Sequence, residues 1–287
     1  HTPYAPAPRY IREVSDGLLG THRMIHAHTR TGLGWNVGER TLRDLRTLYQ
    51  AAVRQVDASV GRVLDALEAA GVDDETAVVV AGDHGEEFQE HGHLAHYPKL
   101  YDELIRVPLI VDVPETPGRR IDGQVGLDDV PPTVTDLLGV DAPDRWTGTS
   151  LASTVSAGDA PPDDPVISVT VRGEDVTAQP IPRSLSDGDL LVSVRDRDWI
   201  YIRNVDAETE ELYHRPDDLD QQTDLTAGDL DADGPARAVI DRFRPLVDAH
   251  VDVLRRHDGA ADGAAAEGPD AEMDAGLDAR LEALGYK

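Results

Sequence analysis

From Thr41 to Ala70 the apolar residues Leu42, Leu45, Leu48, Ala52, Val53, Val56, Val60, Val63, Leu64 and Leu67 recur at helical spacing, which predicts one long amphipathic helix. Gly71 is well placed to end it. A short turn, Val72–Glu75, leads into Ala77–Ala81, which reads as a buried strand. A second helix is expected around Lys99–Ile105, then a strand at Val107–Val113. Two strands separated by a helical segment predict a parallel βαβ unit with a right-handed crossover, and hence an α/β fold.

The rest of the chain is more broken. Pro3, Pro6 and Pro8 make the first forty residues loop-like. Pro131 and Pro132 open a short helix that runs to Leu138, with Gly139 after it. Residues 153–165 (STVSAGDAPPDDP) read as a linker. Beyond it, Val166–Val171, Leu190–Val194 and Trp199–Arg203 read as short strands, the last two joined by Arg195–Asp198 as a hairpin. Ala236–Arg256 reads as a helix, His257–Gly268 as flexible, and a short helix ends near Leu284. The expected organisation is therefore an α/β domain over 1–152, a linker over 153–165, a small α+β domain with a short antiparallel sheet over 166–256, and a flexible acidic stretch over 257–287.

With 40% apolar residues in 287, the chain can bury a core. Its formal net charge of −28 is spread along the sequence, a surface that repels nucleic acid and anionic membranes, so neither is an expected partner. Among 27 cationic residues only Lys99 and Lys287 are lysine. Acidic, lysine-poor surfaces are those of proteins adapted to high salt; binding to a basic partner is the other reading. There is no cysteine, hence neither disulfide nor thiolate chemistry. No apolar run approaches the about 20 residues that span a bilayer.

The chemistry concentrates in VVVAGDHGEEFQEHGHLAHYPKLYDELIRVPLIV, Val78–Val111. Asp83 and His84 follow a strand end, where open α/β sheets collect ligands, and Gly82 and Gly85 allow tight turns beside a bound group. A carboxylate next to an imidazole suits a divalent cation; a plain turn is the alternative. His91, His93 and His96 follow, then Lys99. A compact ammonium in a chain that otherwise uses arginine fits a small tetrahedral anion better than a planar guanidinium does. The alternative is a chance surface lysine.

GDHGEExxEHGH followed by KLYDELIRVPLIV resembles the sulfatase family of the alkaline-phosphatase-like superfamily. HTPYAPAPRY is similar to that family's H-x-P-Y-x-P loop, and VDASVG to the helix before its DHG strand. LDDVPPTVTDLLGVDAPDRWTGTSL is similar to the close of its large domain. RDRDWIYIRN, ELYHRPDDLDQQTDL and RLEALGY are similar to its small C-terminal domain. The resemblance implies the C-terminal portion of an α/β/α sandwich followed by the small domain; the acidic, lysine-poor composition points to a haloarchaeal source. It implies hydrolysis of a sulfate monoester, small-molecule or glycan, assisted by a divalent metal. Calcium is the usual ion, with manganese or zinc as alternatives, because many relatives carry Asn where His84 stands. Asp83 and His84 become metal ligands, and Lys99 and His1 catalytic residues: Lys99 on the sulfate oxygens and the leaving oxygen, His1 on the ester oxygen, helping to protonate the leaving group. His91, His93 and His96 take either pocket-wall or solvated-loop duty.

The family's nucleophile is a formylglycine made from Cys or Ser in a C/S-x-P/A-x-R motif, and two adjacent aspartates complete its metal site. Neither feature is among these residues: the pairs Asp73-Asp74, Asp128-Asp129, Asp163-Asp164 and Asp217-Asp218 fall in turn or linker contexts. The expectation is that both are supplied by an N-terminal half, or by a partner chain, so that this chain alone is inactive. The alternatives are a phosphate or phosphonate ester hydrolase of the same superfamily, and a non-catalytic anion-binding remnant or split-enzyme subunit.

Overall fold

The computed structural model describes residues 4–15, 17–18, 37–172, 185 and 188–261. The chain divides into two compact units, His1–Val166 with Arg215–Gln222, and Ile167–His214 with Thr223–Lys287.

In the first unit, the proline-rich start yields helix α1 (Pro8–Val14) rather than loop, with Pro8 in its first turn, where the missing N–H costs nothing. The long periodic run forms α2 (Glu39–Ala70), ended by Gly71 at φ 65°. Leu45, Leu48 and Ala51 of α2 pack with Tyr4, Tyr10, Ile11, Leu18 and Phe88. Tyr4, Tyr49 and Phe88 stand 5.4–5.8 Å apart between ring centroids, an edge-and-tilt aromatic trio. Further along the helix the apolar stripe lies open: Val53, Val56, Val63 and Leu64 are 42–61% exposed.

Strand β1 (Val78–Ala81) precedes two short strands, β2 (Glu87–Phe88) and β3 (Leu94–Ala95), which pair with each other. A single helical turn, α3 (Asp102–Ile105), leads to β4 (Leu109–Asp112). The expected parallel unit is not formed. β4 runs antiparallel to β1, with Val78 opposite Asp112 and Ala81 opposite Leu109. A parallel return requires a crossover long enough to traverse the sheet; the only helix between these strands has four residues. The chain therefore stays at one end of the pair and comes straight back.

Helix α4 (Val130–Leu137) follows, with Pro131 near its start and Gly139 at φ 67° past its end. Asp129 of the Asp-Asp pair accepts the N–H groups of Gly126 (2.8 Å) and Thr149 (2.7 Å), a loop tie. The expected linker starts as a helical turn, α5 (Ala152–Ser156), whose Thr154 and Val155 are buried.

The second unit is a four-stranded sheet in the order β5 (Val166–Arg172), β6 (Asp189–Arg195), β7 (Trp199–Asn204), β8 (Thr209–His214). β6 and β7 form the expected hairpin; Asp196 Oδ1 accepts from Asp198 N and Trp199 N to shape the turn. Helix α6 (Pro235–Ala261) runs past the expected end at Arg256. Val239, Ile240, Phe243, Val247 and Val251 pack with Leu190, Val192, Val194, Tyr201 and Leu212 of the sheet. Among the described residues no helix is long and apolar enough to cross a membrane.

Candidate functional site

The site is built at the end of β1. Gly82 N donates to the Pro108 carbonyl (3.1 Å) and Gly85 N to that of Leu104 (2.7 Å), which stitches the turn to the approach of β4. A Cβ on Gly85 would stand 2.0 Å from the Glu103 carbonyl oxygen, so only glycine permits this approach. Asp83 and His84 are thereby fixed at the apex, their side chains 68% and 31% exposed. Asp83 Oδ1 accepts from His84 N at 3.0 Å, and Oδ2 lies 3.9 Å from His84 Nε2. His84 Nδ1 is 2.8 Å from the Gly85 carbonyl. A carbonyl only accepts, so Nδ1 carries the proton and the neutral ring has its lone pair on Nε2.

An oxygen and a nitrogen donor of this kind fit a divalent cation. They are two donors only: among the described residues no group of three or more His, Cys, Asp or Glu is arranged to hold a metal ion.

Beyond the apex the loop is organised on two buried carboxylates. Glu87, fully buried, accepts from Lys99 Nζ at both oxygens (3.0 Å each) and from the N–H groups of His91 (3.0 Å) and His93 (2.7 Å). Lys99 Nζ also donates to the His91 carbonyl at 2.6 Å. Glu86, whose side chain is 3% exposed, meets His96 Nδ1 at 2.9 Å, and the His96 ring packs on that of His84 with centroids 4.5 Å apart. His93 stacks on Tyr97 at 4.3 Å. Phe88 ties the loop to α2, where Arg46 donates to the Phe88 carbonyl (3.2 Å) and pairs with Glu90 (2.7 Å).

His91 lies between two acceptors, Glu103 Oε1 at 2.5 Å from Nδ1 and the Gln221 carbonyl at 2.9 Å from Nε2, with its ring stacked on Tyr101 at 3.6 Å. Burial pulls its pKa down, but the Glu103 carboxylate and the Gln221 carbonyl outweigh that and raise it above the ordinary imidazole value.

Of the residues expected from sequence, Asp83 and His84 are brought together. Lys99, expected on an anion, has its ammonium on Glu87 and the His91 carbonyl, which gives the buried carboxylate a counter-charge. His1 lies outside the described residues. Sequence reasoning missed Glu86, Glu87 and Glu103. The available signal was charge balance: three histidines and a lysine within ten residues, folded under one strand end, require acidic partners.

Residues 1–140 match the family model described as Sulfatase. Arylsulfatase K of Xenopus laevis is 28% identical over 228 residues, 74% of this chain and 40% of that protein. Among solved structures, a phosphonate monoester hydrolase from Silicibacter pomeroyi aligns with a TM-score of 0.63 at 21% identity, covering 88% of this chain and 53% of that one. A 2-O GAG sulfatase aligns with a TM-score of 0.61 at 21% identity, covering 89% and 53%. The chain thus spans 40% of this curated relative and about half of these solved chains. At such identity the structural likenesses show a shared α/β fold, and together with the family match they support a place in the sulfatase and alkaline-phosphatase-like superfamily.

Proposed function

We propose that the chain is the metal-binding portion of a sulfuric ester hydrolase acting on a sulfate monoester, small-molecule or glycan. The observation that carries this is the apex at the end of β1, where Gly82 and Gly85 hold Asp83 and His84 side by side with donor atoms of both kinds turned to one region. These two residues would hold the metal, calcium in the first instance, which when bound supplies Lewis-acid stabilisation of charge on the transferring group. Glu86 orients His96 against His84, and Glu87 with Lys99 fixes the loop that follows. Lys99 Nζ donates to the Glu87 carboxylate and the His91 carbonyl, so Lys99 enters the proposal as a support of the loop, and its role on the sulfate oxygens is assigned on resemblance. His1 is assigned to the leaving oxygen on resemblance, and a positioned acid there contributes typically about 10²–10⁴-fold. No residue here can serve as the formylglycine precursor, for there is no cysteine and no serine in the required motif. The nucleophile and the remaining ligands are assigned to further polypeptide, which the open apolar stripe of α2 and the two-stranded β1–β4 sheet would accommodate.

A second reading, hydrolysis of a phosphate or phosphonate ester, is favoured by the structural likeness to a phosphonate monoester hydrolase. Assay of the complete native protein on 4-nitrophenyl sulfate, phosphate and methylphosphonate with calcium, manganese or zinc separates the two. Sulfate turnover that is lost with Asp83→Ala supports the proposal. Preference for phosphate or phosphonate moves it to the second reading. Sulfate turnover by the 287-residue chain alone would overturn the nucleophile assignment.

A further inference from the structure

The segment that leaves β8, Arg215–Gln222, belongs to the first unit rather than to the sheet it follows. Four of its contacts with that unit fall on the loop between His84 and Ile105. Gln221 Oε1 accepts from Asp102 N (2.8 Å), the Gln221 carbonyl faces His91 Nε2 (2.9 Å), Gln222 Nε2 donates to the Glu90 carbonyl (3.2 Å), and Arg215 lies 3.8 Å from the Asp102 carboxylate. Gln221 is 1% exposed and adopts φ 51°, a left-handed conformation unusual for a side-chain-bearing residue. Its Nε2 is buried with no hydrogen-bond partner among the described residues. A glutamine kept in such a backbone state with half its amide unsatisfied is held for the other half, the oxygen on Asp102 N.

We propose that Arg215–Gln222 is a strap that positions the candidate-site loop, with Gln221 as its positioning residue and protonated His91 as its pin. His91 Nδ1 faces the Glu103 carboxylate and Nε2 faces the Gln221 carbonyl, two acceptors that are both bonded only by the imidazolium; the Gln222 amide nitrogen stands farther from Nε2, at 3.4 Å. The charged groups around the ring are few. Glu103 comes from α3, Lys99 with its partner Glu87 from the loop, and the Asp102–Arg215 pair flanks the strap's entry. Glu103 favours the charged ring and Lys99 opposes it. On loss of the proton the Gln221 carbonyl at 2.9 Å faces a lone pair, Nε2 exchanges that bond for the longer contact to the Gln222 amide at 3.4 Å, and the strap loosens from the loop. The sign follows: the fastening is complete below the ordinary imidazole pKa and is lost as pH rises through the raised one. The positioning role rests on the hydrolase reading above; the fastening does not.

Hydrogen exchange of the complete native protein, followed by mass spectrometry from pH 6 to 9.5 and corrected for intrinsic rates, tests it without any need for turnover. In the wild type, peptides covering 86–104 and 215–222 should together exchange faster on the alkaline side by about tenfold, the worth of one buried charge-assisted bond. H91Q should exchange fast at every pH with no step. Q221A should expose 86–104 while leaving β6, β7 and α6 as protected as before. A corrected wild-type profile that is flat with pH overturns the proposal, as does a Q221A variant whose loop stays protected. Should Q221A fail to fold, the wild-type pH series decides alone. Failure here with sulfate turnover intact removes the strap and leaves the hydrolase standing.

Discussion

Lys99 separates two pictures of the loop, and Lys99→Met separates them experimentally. If Lys99 serves a bound anion, its removal costs affinity and leaves the empty fold nearly unchanged, within about 0.5 kcal/mol. If it serves Glu87, the substitution strands a carboxylate of zero exposure. Breaking one side of a buried ion pair costs about 3–5 kcal/mol. The lower end applies, because the His91 and His93 N–H groups at 3.0 and 2.7 Å continue to stabilise the carboxylate. Set against a total of about 5–15 kcal/mol for an ordinary domain, a loss of about 3 kcal/mol is large. Urea unfolding at neutral pH should show it as a lower midpoint at constant slope. The double variant Glu87→Gln, Lys99→Met, with no charge left to strand, should recover at least half of the loss, and that recovery is the coupling between the two sites. A Lys99→Met variant as stable as wild type, or a double variant with simply additive losses, refutes the structural assignment and returns Lys99 to the anion.

Asp83→Ala in the complete protein should lower divalent-metal affinity far more than Lys99→Ala does, as measured by calorimetric titration; equal affinities would remove Asp83 from the ligand set. Gly85→Ala should destabilise the apex by on the order of 2–3 kcal/mol, since its Cβ would meet the Glu103 carbonyl at 2.0 Å, backbone that cannot swing aside. Thermal unfolding should move upward as potassium chloride rises, because salt screens self-repulsion among groups that sum to −28; a falling midpoint would end the high-salt reading. In the second unit the Arg244 guanidinium grips both Glu210 oxygens at 2.7 and 2.9 Å and holds that carboxyl below its ordinary pKa. Its stabilisation is therefore present above the ordinary glutamate value and lost as pH falls through the depressed one. Arg244→Ala should cost about 1 kcal/mol at neutral pH, given its partial exposure, and the gap to wild type should close in acid.

The parts of the fold that sequence makes legible are those whose cause is local. Thirty residues of helical periodicity with a glycine at the end specify α2 without help, and the Asp196–Asp198 turn announces its hairpin through side chains that bond their own backbone. Strand direction is different in kind. Nothing in Val78–Ala81 or Leu109–Asp112 says which way they pair; the answer lies in how little helix separates them, four residues where a fuller one was expected. The site divides along the same line. The placement of Asp83 and His84 in a turn at a strand end is legible because glycines flank them. Glu87 and Gln221 are not, because a glutamate among glutamates and a glutamine in a polar turn acquire meaning only from partners 12 and 130 residues away, Lys99 and His91.

The order of the loop does not depend on the sheet from which it springs. β1 and β4 form a pair of four-residue strands with Ile110 60% exposed, a unit that is marginal by itself. The loop is held from other directions: Phe88 in the aromatic trio on the buried half of α2, Arg46 on Glu90, the Glu87–Lys99 pair, and the Gln221 bonds. Each of these attaches a different point between residues 86 and 104, and none passes through the exposed edges of the β-pair. The apex is fixed from that side, through Gly85 against Leu104 and His96 against His84. Under the proposed function, a partial ligand set can then coexist with ordered side chains: Asp83 and His84 would be held ready for further donors, and completing the site would require those donors to arrive without rebuilding the apex.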